Sequence, residues 1–168
     1  VVYYFDDTVK LTDDLEEEIG MPVVAKVFKS DIGSKNNRKV ELLAQKYPKS
    51  VVSESIKTLR TNLQFSSVDE DIKTILITSS IPGEGKSFIS ANLAISFAQT
   101  DKRVLIVDCD MRKGRQHRIF KLSNSKGLSN LLIDDMTNYI DYINKTSVDG
   151  VHVITRGTVP PKPSELLN

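Results

Sequence analysis

The sequence predicts an α/β protein with a doubly wound, mainly parallel sheet and helices on both faces. Three observations lead there. Residues 74–78, 103–107 and 151–154 are short runs rich in Val and Ile on successive positions, as expected of strands buried on both faces. Segments of helical spacing separate them, which suits right-handed β-α-β units. A glycine-rich loop falls between the first run and its helix, the end of such a sheet where ligands bind. At 168 residues the chain suits one domain rather than two.

In chain order, residues 13–20 read as a short helix. Thr12 or Asp13 can cap it, acids fill its positive first turn and Gly20 can end it. Leu15 and Ile19 then share an apolar face. A strand is expected over 21–27. Residues 31–48 are polar, basic and weakly periodic, a linker with one helix over 38–46. Ile56, Leu59 and Leu63 recur at helical spacing over 53–65, with Ser53 as the cap. The first buried strand, 74–78, is followed by a small-residue helix over 88–99 and the second strand over 103–107. After a basic loop, 128–133 and 139–143 are helical, and 151–154 forms the third strand.

Charge is balanced overall, with 23 Lys plus Arg against 22 Asp plus Glu, so composition selects no partner class and no nucleic acid is expected. Its distribution is uneven. Residues 1–20 hold seven acids against Lys10, net −6, while residues 26–60 hold nine bases against three acids, net +6. Such blocks suit solvated faces or pairing between neighbouring subunits. The one cysteine, Cys109, is expected to be a small buried hydrophobe. No window reaches the roughly eighteen apolar residues of a membrane span, and no signal peptide is visible. Val1 to Phe5 suit either the start of an edge strand or the exit from a membrane helix.

The strongest chemical signal is Ser80-Ile81-Pro82-Gly83-Glu84-Gly85-Lys86-Ser87. A phosphate loop needs glycines so that backbone N–H groups can close on phosphate oxygens at a helix N-terminus. It also needs a lysine for the β and γ phosphates and a hydroxyl for Mg²⁺. Gly83, Gly85, Lys86 and Ser87 fill those places, although Ser80 stands where the usual pattern has Gly. The fold is therefore read as that of a P-loop NTPase. The next strand ends in Asp108-Cys109-Asp110-Met111-Arg112. Two acids one residue apart can share a magnesium, or one can hold metal-bound water while the other accepts a proton. Lys113, Arg115, Arg118 and Lys121 form a basic run that could face phosphates, a partner's acids or water. His117 and His152 lack metal-ligand spacing and read as structural.

These residues resemble the bacterial tyrosine kinases of capsule and exopolysaccharide export. The resemblance rests on Pro82-Gly83-Glu84-Gly85-Lys86-Ser87, on the run from Leu105 to Arg112, and on Gly157-Thr158-Val159-Pro160-Pro161-Lys162-Pro163-Ser164-Glu165-Leu166-Leu167. It implies ATP and Mg²⁺ as cofactors, protein tyrosines as substrate and a ring-like homo-oligomer at the cytoplasmic face of the plasma membrane. Pro82 to Phe88 and Arg112 would bind nucleotide, Ser87 and Asp108 would hold Mg²⁺, and Lys86, Asp108 and Asp110 would be catalytic. The stretch from Glu54 to Leu63 is similar to the family's E-x-x-R-x-x-R oligomerisation helix. That carries oligomerisation onto Glu54, Lys57 and Arg60, with Lys57 in place of the first Arg. Glu54 and Lys57 can equally form a surface pair.

Residues 1–29 resemble the cytoplasmic tail of a membrane polysaccharide co-polymerase, an activator fused to the kinase or separate from it. The expected division is thus a 1–29 activator segment, a 30–52 linker and a 53–168 kinase domain. The family's Walker B strand and tyrosine-rich tail do not occur before Asn168, so the chain is expected to be a poorly active fragment. Two alternatives stand beside the kinase. A positioning or partition ATPase switch would carry a second lysine where Ile81 stands. A non-catalytic nucleotide-binding scaffold would differ only in activity.

Overall fold

The computed structural model describes residues 12–29, 41–66, 72–134, 138–163 and 165–166, with backbone alone at 12–15. The expected features at Val1 to Phe5, the first acids, the linker over 30–40 and Ser164 lie outside the described residues. Helices α1 (Thr12–Ile19), α2 (Leu43–Lys46) and α3 (Val51–Phe65) precede α4 (Lys86–Ala98), β1 (Val104–Val107) and α5 (Gln116–Ile119). Then come α6 (Leu128–Ile133), a 3-10 turn over Tyr139–Tyr142, β2 (Asn144–Lys145) and β3 (Val151–Ile154).

The sheet has the order β1-β3-β2. β1 runs parallel to β3, with Val104 opposite Val151 and Ile106 opposite Val153, and β2 adds a short antiparallel edge. Alternation along the strands then assigns the faces. Ile106, Val151 and Val153 bury against Ala91, Ala94 and Ile95 of α4. Ile154 joins Met111, Leu128 and Leu131 on the other side. Leu105 and Val107 stay 44% and 41% exposed.

Several expectations change. Residues 72–78 join no ladder among the described residues, and Leu76 is 84% exposed. An apolar run supplies strand propensity, whereas a ladder also needs a partner that periodicity does not specify. Residues 21–29 likewise form no ladder among the described residues, and Met21 lies in a bend. Ile19, expected on an apolar face, is half exposed. Ser50 rather than Ser53 caps α3, its Oγ accepting from Ser53 N at 3.2 Å. Ser53 is buried and donates its own hydroxyl to the Tyr47 carbonyl at 2.7 Å. The basic loop after β1 contains α5. Within the 30–52 stretch, Leu42, Leu43 and Ala44 are core residues. They are fastened by Asn92, which is fully buried, accepts from Ala44 N at 2.9 Å and donates to the Glu41 carbonyl at 2.8 Å. No helix among the described residues is long and apolar enough to cross a membrane.

Candidate phosphate-loop site

Residues 79–85 turn tightly because Gly83 and Gly85 take φ of +92° and +102°, a region that costs a side chain strain and glycine nothing. Gly85 is the N-cap of α4, so the loop delivers free backbone N–H groups to the positive end of a 13-residue helix. Glu84 closes the loop on itself, its Oε2 accepting from Ile81 N at 3.3 Å. Lys86 Nζ donates to Ser79 Oγ at 2.7 Å, and that hydroxyl donates onward to the Ile81 carbonyl at 2.9 Å. The lysine is therefore held over the loop rather than extended into solvent.

The second half of the site starts where β1 ends. Asp108 N donates to the Ile154 carbonyl at 3.0 Å, carrying the pairing with β3 one residue further. Alternation turns Asp108 inward and Cys109 outward, so Asp108 is 6% exposed while Cys109 is exposed, contrary to the buried hydrophobe expected of it. The chain then folds over Asp108. Gly114 lies so close that a Cβ there would stand 2.7 Å from Asp108 Oδ2 and 2.6 Å from the Asp110 carbonyl. Gln116 N donates to Asp108 Oδ2 at 3.0 Å. Burial nevertheless pushes the Asp108 carboxyl above its ordinary value, only partly offset by the N–H of Gln116. No Lys or Arg forms an ion pair with it among the described residues.

Asp110 is exposed at the rim. Its Oδ1 accepts from Lys113 N at 2.8 Å and Arg112 N at 3.2 Å, a turn that fixes the carboxylate. The same turn is clamped from β3's end by Arg156, whose guanidinium donates to the Arg112 carbonyl at 2.9 Å. Gln116 joins the two halves, its Nε2 donating to the Ser87 carbonyl at 3.2 Å and its N–H to Asp108, while Asp110 and Arg112 are exposed on the turn beyond. A buried carboxylate without an ion-pair partner among the described residues, tied through Gln116 to Ser87 at the start of α4, is a hard-oxygen donor set that suits Mg²⁺.

The expected oligomerisation residues part company. Glu54 and Lys57 pair with each other at 2.8 Å on the outer face of α3, and Lys57 also donates to the Pro48 carbonyl at 3.0 Å. Arg60 turns inward and donates to the Ser96 carbonyl of α4 at 2.7 Å. In the basic run, Arg115 pairs with Glu41 at 2.8 Å. Sequence reasoning missed Ser79, Gln116 and Arg156. Gln116 and Arg156 act through partners 29 and 44 residues away, whereas Ser79, bonded to Lys86 and Ile81 within the loop, offered a signal by its position.

Three comparisons bear on this geometry. Residues 75–154 match the model of the CobQ/CobB/MinD/ParA nucleotide binding domain. The chain is 48% identical over 120 residues to the putative tyrosine-protein kinase CapB of Staphylococcus aureus, covering 71% of this chain and 52% of that protein. It is 44% identical over 138 residues to the tyrosine-protein kinase YwqD of Bacillus subtilis (strain 168), covering 81% and 56%. The crystal structure of the chimerical protein CapA2B2 superposes with a TM-score of 0.81 at 40% identity, covering 94% of this chain and 65% of that one. The chain thus spans about half the length of these curated relatives.

Proposed function

The chain is a homologue of the bacterial tyrosine-protein kinases, and from that premise we propose that it forms the nucleotide-binding part of an ATP-dependent, autophosphorylating tyrosine kinase of polysaccharide export. The observation that carries this reading is the link that Gln116 makes between Ser87 of the 79–87 loop and Asp108, in a chain 48% identical to a protein named a tyrosine kinase.

The residues divide the work. Backbone N–H groups over 83–88 bind the ATP phosphates, with Pro82 and Glu84 shaping the loop. Lys86 leaves Ser79 to bridge the β and γ phosphates. Ser87 and Asp108 hold Mg²⁺, which when bound neutralises charge on the phosphoryl group and orients it. Asp110 Oδ2, opposite the oxygen held by the turn, takes the proton of a tyrosine hydroxyl as the tyrosine oxygen attacks the γ phosphorus and ADP departs. Arg112 steadies phosphate charge or a neighbour's tail. Positioning and charge neutralisation supply most of the rate.

The remaining assignments belong to the same proposal. Residues 1–29 act as a co-polymerase-like activator arm, 30–52 as the connection and 53–168 as the kinase part. Glu54 and Lys57 face a neighbouring copy in a ring at the cytoplasmic face of the membrane. Arg60 supports that face by fixing α3 on α4.

The test is phosphotyrosine formation by the full-length gene product with Mg-ATP. Wild type should label its tyrosines, Lys86→Met should not, and Asp110→Asn should lose most labelling while keeping Mg-ADP affinity within about twofold. ATP hydrolysis without phosphotyrosine would instead indicate an ATPase switch of the partition type.

A further inference from the structure

Gln116 touches both residues assigned above to magnesium, and neither the loop motif nor the strand-end acids account for it. It opens α5 and is 3% exposed. Its backbone N–H donates to Asp108 Oδ2 at 3.0 Å. Its side-chain Nε2 donates to the Ser87 carbonyl at 3.2 Å and to Ser90 Oγ at 2.9 Å. Ser87 sits on the first turn of α4 and Asp108 beyond the end of β1, so neither element alone sets the spacing between them. α5 has only four residues, too few to hold its own start in place. The side-chain amide therefore anchors the N–H that meets Asp108. Gln116 Oε1 is buried and has no hydrogen-bond partner among the described residues, an arrangement that costs stability unless a ligand or water answers it. An acceptor left over beside Ser87 and Asp108 suits the waters that magnesium keeps when it binds.

We propose that Gln116 is a positioning residue of the magnesium–nucleotide site, locking the first turn of α4 to the Asp108 carboxylate so that Ser87 and Asp108 serve one cation. This rests on the function proposed above, and its test reads binding rather than phosphoryl transfer. ADP is titrated calorimetrically into the full chain, once with saturating Mg²⁺ and once with EDTA. Gln116→Met keeps length and volume but cannot donate. It should weaken ADP binding in Mg²⁺ by about tenfold, the scale of one or two neutral hydrogen bonds, and leave binding in EDTA within about twofold of wild type.

Ser90→Ala removes one acceptor and spares the Ser87 carbonyl, so its magnesium dependence should stay near that of wild type. If circular dichroism shows Gln116→Met unfolded, Gln116→Leu carries the same comparison. An unchanged affinity in Mg²⁺, or an equal loss in both buffers, would overturn the proposal, the second because it marks general loosening. Wild type that binds ADP without any magnesium dependence would contradict the underlying site itself, separately from Gln116.

Discussion

At the carboxyl end of β1 the chain is tied from several directions, whereas along the outer face of α3 it is laid down with few fastenings. Asp108 is covered by Gly114, bonded to Gln116 and flanked by a turn that Arg156 clamps. Residues 16–29 are held by different means. Asn62 donates to the Val24 carbonyl, and Val23 N to Glu16 Oε1, both at 2.6 Å. Between that arm and α3 lies an open groove of about 650 Å³, lined by Glu16, Val23, Phe28, Val51 and Thr58 among others. Phe28 is 59% exposed and Val51 68%. Asp108 and Gln116 are thus buried with the core, and the arm rests on its outside. An element with so little burial can move at small cost.

The largest expected effect comes from breaking the core under the loop. Ile95 of α4 is 1% exposed, and Ile95→Ala should cost about 2–5 kcal/mol in denaturant unfolding. A loss below about 1 kcal/mol would mean that α4 is not anchored as described. Next comes Gly114→Ala, whose methyl would overlap Asp108 and the Asp110 carbonyl. It should cost about 1–3 kcal/mol and weaken Mg-nucleotide binding with it. Wild-type behaviour would show that the turn over Asp108 has room to spare.

Asp108→Asn should raise the melting temperature of the nucleotide-free protein at neutral pH. The folded state holds the Asp108 proton more tightly than the unfolded state, so stability declines as pH rises above the ordinary carboxylate value of 3.8. The advantage of Asn should accordingly shrink as pH falls from neutrality toward that value and be gone below it, where the carboxyl is protonated in both states. A variant that melts lower at neutral pH would contradict the burial cost assigned to this carboxylate. The smallest effect belongs to the arm. Phe28→Ala should change stability by less than about 0.5 kcal/mol, and a larger loss would move residues 16–29 into the core.

How much of this was legible follows the same division between local and distant causes. The phosphate loop could be read because its glycines, lysine and serine act within eight consecutive residues. Asp108 stands out in the sequence because the strand ends of an open parallel sheet face the ligand crevice, and the structure turns it inward. Gln116 sits in a stretch whose basic residues invite a loop, yet its partners Ser87 and Ser90 lie on another helix. No spacing rule connects them. Residues 74–78 carry a strand's composition but no ladder among the described residues, because pairing is decided elsewhere in the chain. At α3 the spacing puts the cap at Ser53, but the Ser53 hydroxyl is drawn to the Tyr47 carbonyl and Ser50 caps the helix instead.

Calorimetric titration of Mg-ADP into three forms of the chain, wild type, Lys86→Met and a form lacking residues 1–29, tests the central claim most directly. Wild type should bind. Lys86→Met should lose about thirtyfold or more, as when one partner of a hydrogen-bonded charge pair is removed. The arm-deleted form should bind within about twofold of wild type. Retained affinity in Lys86→Met would contradict the phosphate loop, and loss of affinity on deleting the arm would contradict a nucleotide site built into the core.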